Sequence, residues 1–146
     1  MKSYHILDCD KQQKIADSLY GYYVGITANR EPKEFWNHLS RKEIQDYFSI
    51  PNNPCKEWFD SLGLKVRDMS FTIYNEDIGT DIHRDEPPVI AKINFPVLNT
   101  TDTYNVWFDD YANEIDRVEC DKPIVLRSDI LHTVEIGKDA VFPRIQ

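Results

Sequence analysis

Two hydrophobic rhythms divide this chain. Up to Gly63 apolar residues recur every three or four positions, as on one face of a helix; beyond it they fall in short alternating runs. A first short strand is expected at 2–7. Ile15, Leu19 and Tyr22 or Tyr23 then share one face of a helix over 10–23, with Asp10 as its N-cap. Pro32 suits the first turn of a second helix, with Phe35, Trp36 and Leu39 buried. Ser40-Arg41-Lys42-Glu43 matches a capping box that opens a third, from Ile44 to Phe48. Pro51-Asn52-Asn53-Pro54 breaks the chain, and a fourth helix from Cys55 to Leu62 ends at Gly63.

From Leu64 onward the expected elements are strands: 64–74, 80–85, 89–97, 104–108, 124–127, 131–136 and 140–145. Turn-forming residues separate them, notably Pro87-Pro88 and Asn99-Thr100-Thr101-Asp102. The acidic stretch with Asp109, Asp110, Glu114 and Asp116 is expected to be a solvated loop. Helices followed by antiparallel strands predict an α+β fold. It is expected as one domain over 1–146, a helical support (1–63) packed on one sheet of a jelly-roll core (64–146).

Composition narrows the function classes. At 146 residues, 41% hydrophobic and 12% aromatic, the chain is long enough for a core and too apolar for disorder. A net charge of −8 and a pI near 4.9 disfavour nucleic acid as a partner. The longest apolar runs are too short for a membrane span or a secretory signal. Cys9, Cys55 and Cys120 are odd in number and widely spaced, which excludes a disulfide framework and fits a reducing, cytoplasmic setting.

The clearest chemistry lies in His83-Arg84-Asp85. Side chains two apart on extended backbone leave the same face, so one imidazole and one carboxylate can chelate a single cation. His132, from a distant strand, would complete a two-histidine, one-carboxylate face of the kind that non-haem Fe(II) oxygenases use. Arg144 follows, and a guanidinium fork suits a carboxylate ligand. Each residue has a plainer alternative: a solvated His-x-Asp, a core histidine in Leu131-His132-Thr133-Val134, and an edge charge at Arg144. His5 and His38 have no carboxylate at chelating spacing and are expected to be surface or structural.

In order and spacing, Tyr74, Gly79, His83-Arg84-Asp85, His132 and Arg144 resemble the core of the Fe(II)- and 2-oxoglutarate-dependent dioxygenase superfamily. The segment Ile93-Asn94-Phe95-Pro96-Val97-Leu98-Asn99, closing on Trp107-Phe108, resembles its prolyl- and asparaginyl-hydroxylase-like branches. The likeness covers about half the chain. It implies a double-stranded β-helix, iron held by His83, Asp85 and His132, and 2-oxoglutarate anchored by Arg144. Tyr74 and Asn94 would line the co-substrate pocket, and a peptide or small molecule would be hydroxylated. The family runs past its arginine with a full strand, often with Ser or Thr two positions on. Gln146 stands there, so a short final strand or a fragment is expected.

Three readings follow for the function: a dioxygenase, a non-catalytic jelly-roll with a vestigial or structural metal site, and a cupin-like metal enzyme without 2-oxoglutarate. Asp85 falls where cupins carry the second histidine of His-x-His, which counts against the third. Arg127, before Ser128-Asp129, is the rival anchor, although its place suits a turn-stabilising ion pair better.

Overall fold

The computed structural model describes residues 2–28, 36–76 and 79–146. Among these, the elements run β1 (Tyr4–Ile6), α1 (Gln12–Thr27), β2 (Trp36–His38), α2 (Arg41–Phe48), α3 (Pro54–Ser61), β3 (Ser70–Tyr74), β4 (Ala91–Asn94), β5 (Thr103–Phe108), β6 (Glu114–Glu119), β7 (Ile124–Arg127), β8 (His132–Ile136) and β9 (Arg144–Ile145). The class is mixed α+β. Strands pair antiparallel in three small sheets, ordered β1-β7-β4, β2-β3-β9 and β6-β5-β8, and no closed barrel forms among the described residues. Two single bridges extend the pairing. Leu98 meets Ile145, linking the segment that leaves β4 to β9, and His83 meets His132 at the start of β8.

Local chemistry explains the helix ends. Ser40 and Glu43 form the expected reciprocal capping box on α2, with Oγ accepting from Glu43 N at 3.1 Å and Oε1 from Ser40 N at 2.9 Å. Asn53 caps α3 by accepting from the amides of Cys55 and Lys56, and Pro54 sits where a missing N–H costs nothing. After α3, Gly63 turns left-handed (φ 69°) and the Leu64 amide folds back onto the Phe59 carbonyl.

The main core joins helices to sheet. Ile15, Leu19, Tyr47 and Trp58 pack in one cluster with Phe71, Ile73 and Ile145 from β3 and β9. Alternation then turns Tyr74 and its register partner Arg144 to the opposite face of that sheet. A smaller cluster of Trp107, Ile124 and Leu126, with Tyr4 stacked on Trp107 at 5.4 Å, joins β1 and β7 to β5.

Several expected elements differ. α1 starts at Gln12 with Lys11 at its N-cap and no side-chain cap, so Asp10 does not cap it. In place of a second helix, Trp36, Asn37 and His38 form β2 along β3, and Leu39 is buried. Period two there buries Asn37 and leaves Trp36 53% exposed, against the expected burial. Three apolar residues within five positions fit either period, and the open edge of β3 decides for the strand. Pro32 and Phe35 lie outside the described residues. Glu114 and Asp116 belong to β6, not to a loop; its charged residues suit an edge strand, paired on one side only. The segments 80–85 and 140–145 are mostly irregular, reduced to the His83 bridge and to β9.

Candidate metal centre

His83 and His132 meet across a complete pair of backbone hydrogen bonds. The His83 amide donates to the His132 carbonyl at 3.0 Å, and the His132 amide donates back at 2.8 Å. Residues directly opposite in such a pair project to the same side. Their rings accordingly lie 4.5 Å apart between centroids. Asp85, two residues on, returns to that side and is fixed by its amide donating to the Ser128 carbonyl at 2.9 Å. One ligand atom from each of His83, Asp85 and His132 lies within 4.8 Å of the others. The expected ligands are thus brought together.

Both imidazoles are set for coordination. His83 Nδ1 lies 2.8 Å from the Asp81 carbonyl and His132 Nδ1 lies 2.8 Å from the Ile130 carbonyl. A carbonyl only accepts, so each Nδ1 carries the proton and each Nε2 presents its lone pair. Burial holds the His132 pKa below the usual imidazole range, which keeps that lone pair available at neutral pH. His132 Nε2 is buried with no hydrogen-bond partner among the described residues. A cation would satisfy it. Burial pushes the Asp85 carboxyl up, but the hydrogen bond and charge of Lys92 outweigh this and hold it below its ordinary range.

No protein-family model, curated protein or solved structure matches this chain.

Arg144 lies further inside. It is fully buried, its guanidinium 4.9 Å above the Tyr74 ring. Nε donates to Thr103 Oγ1 at 3.3 Å and Nη2 to Gln146 Oε1 at 2.5 Å, while Nη1 is buried without a partner among the described residues. Its surroundings are neutral: burial raises the Tyr74 hydroxyl and the Cys120 thiol above their usual ranges, so both keep their protons. Asn94 Nδ2 donates to Asn105 Oδ1 at 3.3 Å, and Asn105 Nδ2 to Cys120 Sγ at 3.2 Å. Asn94 and Tyr74 therefore both belong to this polar interior. Thr103 and Trp107, the latter paired in register with His132, are four residues apart on β5, or about 14 Å of strand.

Arg127 is engaged elsewhere, forking onto Asp129 at 2.9 and 2.5 Å as the turn-stabilising pair expected for it. Sequence reasoning did not single out Lys92, which reaches Asp85 at 2.8 Å. Its period-two relation to Asn94 on β4 was the available clue. An open depression of about 420 Å³ beside β8, against Gly79, Ile82, Phe108 and Glu135, contains none of the triad.

Proposed function

We propose that this chain is an Fe(II)- and 2-oxoglutarate-dependent oxygenase that hydroxylates a peptide or small-molecule substrate. The observation that carries this is an open three-donor face and, four residues along β5 from the partner of His132, a buried guanidinium with no carboxylate partner among the described residues. Unpaired charge in a dry interior is costly, and a dianionic co-substrate would relieve it. The strand pairing supports a double-stranded β-helix. One run of partners goes β3-β9, through Leu98 to β4 and on to β7; the other goes from His83 to β8, β5 and β6. In that architecture these two runs would be the facing sheets.

His83, Asp85 and His132 would hold the metal, and Arg144 the far carboxylate of the co-substrate, with Tyr74 beneath the guanidinium. Together the metal and 2-oxoglutarate supply oxygen activation and the oxidising equivalents. The chain's own part is to orient both, through Nδ1-tethered imidazoles and the Thr103 and Gln146 contacts to Arg144, and to exclude water around the guanidinium.

The test is Fe(II)-dependent conversion of 2-oxoglutarate to succinate, with and without candidate substrates. It is paired with calorimetry of Mn(II) binding to His83→Ala and Asp85→Ala, each of which should lose tight binding. Unchanged affinity in both variants would end the reading. Arg144→Lys should weaken 2-oxoglutarate binding and spare metal affinity, because an ammonium offers one point charge in place of a fork. One observation favours a non-catalytic metal site instead: Arg144 is wholly sealed, with Gln146 already on Nη2. Metal binding without any 2-oxoglutarate binding would select that second reading.

A further inference from the structure

The two oxygens of Asp85 face different neighbours. Oδ1 stands 3.6 Å from His83 Nε2 and 3.9 Å from His132 Nε2. Oδ2 stands 2.8 Å from the Lys92 ammonium. Lys92 comes from β4, in register with Leu126 of β7, which is buried. Its stem thus enters the space between the sheets, with its side chain 39% exposed. Cis donors of an octahedral ion with bonds of about 2.1 Å stand about 3.0 Å apart. Small side-chain rotations would therefore close Oδ1 and the two Nε2 atoms onto one ion. A carboxylate left alone could turn both oxygens to that ion and occupy a second position. Here that turn would break a charge-assisted hydrogen bond.

We propose that Lys92 is a positioning residue that keeps Asp85 a one-oxygen ligand, so that a divalent ion held by the triad retains three open positions. The inference rests on the metal centre proposed above and is independent of the co-substrate. Three open positions are what a two-point chelating ligand plus one further small ligand require. A chelating Asp85 would leave only two. Lys92 also places a positive charge beside the ion, so its removal should tighten metal binding whatever the binding mode of Asp85. Affinity alone therefore does not decide the question; the number of metal-bound waters does.

The experiment uses the full chain loaded with Mn(II), reading the water-proton relaxivity of the bound ion with no co-substrate added. An octahedral ion with three protein donors carries about three exchangeable waters, and chelation by Asp85 would leave about two. Lys92→Met should thus lower the relaxivity per bound ion to about two-thirds of the unmodified protein's. Lys92→Arg, which restores a donor to Oδ2, should return it to the full value. Lys92→Leu provides a second apolar variant, and thermal melts confirm that each remains folded. Equal relaxivity in the unmodified and apolar variants, with Mn(II) bound in both, would overturn the proposal. So would loss of fold in both apolar variants, which would make the pair a structural tie. If the unmodified chain binds no Mn(II), the metal centre itself falls. If Mn(II) binds and 2-oxoglutarate does not, the oxygenase reading fails while this result still stands or falls separately.

Discussion

Replacing Arg144 by methionine should make this protein more stable and abolish the 2-oxoglutarate binding proposed for it. The guanidinium is fully buried, and Nη1 has no partner among the described residues. An unsatisfied buried donor costs about 1–3 kcal/mol, and exchanging a buried charge for an apolar residue of similar volume is often neutral or stabilising by about 1–4 kcal/mol. Against this stand the stacking on Tyr74, worth about 0.5–2 kcal/mol, and two hydrogen bonds, to Thr103 and Gln146. Losing those leaves little stranded, because the Thr103 hydroxyl still donates to the Thr100 carbonyl at 2.7 Å and Gln146 is partly exposed to water. The net expectation is a gain of about 1 kcal/mol, a rise in Tm of about 2–4 °C for a chain of this size. The assay is scanning calorimetry of both proteins, with Mn(II), in the absence and presence of 2-oxoglutarate. Saturation at a hundredfold over Kd should add about 2.7 kcal/mol to the original protein and nothing to the variant. A variant destabilised by more than about 1 kcal/mol, or one still stabilised by 2-oxoglutarate, would refute the reasoning. Arg144 would then be a packing residue and not a site held ready for an anion.

Other expectations follow from single contacts. A Cβ on Gly79 would overlap the Val134 carbonyl oxygen, so Gly79→Ala should cost about 1–3 kcal/mol in a denaturant melt and also weaken Mn(II) binding through the displaced 79–85 segment. Trp58→Ala, removing a side chain 7% exposed that donates to the Asp8 carbonyl at 3.0 Å, should cost about 3–5 kcal/mol. Trp36→Ala, at a half-exposed position, should cost under about 1 kcal/mol; a reversal in paired urea melts would mean that β2 is misassigned. Ser40→Ala should cost about 1 kcal/mol through loss of the α2 cap, read from the same melts.

The candidate metal ligands were legible because much of their geometry is local. Two-residue spacing brings His83 and Asp85 to one side even though only His83 is bridged, and the long-range facts needed were the pairing of His83 with His132 and the tie of Asp85 to Ser128. The capping box at Ser40 was legible for the same reason. Lys92 was not, since a lysine on an alternating strand looks like an exposed end, and only the turn of Asp85 toward β4 gives it a partner. β6 escaped notice because Glu-Ile-Asp-Arg-Val-Glu carries the polarity of a loop, and its strand character comes from pairing with β5. Trp36 is exposed because the helical spacing of Trp36 and Leu39 gives way to the two-residue period of a sheet edge, which turns Asn37 inward. That Arg144 lies sealed over Tyr74, and not at an exposed edge, depends on how β3 and β9 pair.

The two apolar clusters divide the work of this molecule unequally. Among the described residues, eleven buried ones bind helices to the outer face of β3 and β9, while three form the cluster around Trp107. The layer that keeps the chain folded is therefore not the layer that carries Asn94, Asn105, Lys92 and the triad. Substitutions among these inward-facing polar groups, one or two at a time, leave the larger apolar seam untouched, so this scaffold can exchange one set of them for another while staying folded. The inner row of β4 and β5 is therefore where polar chemistry can drift at little risk to the fold.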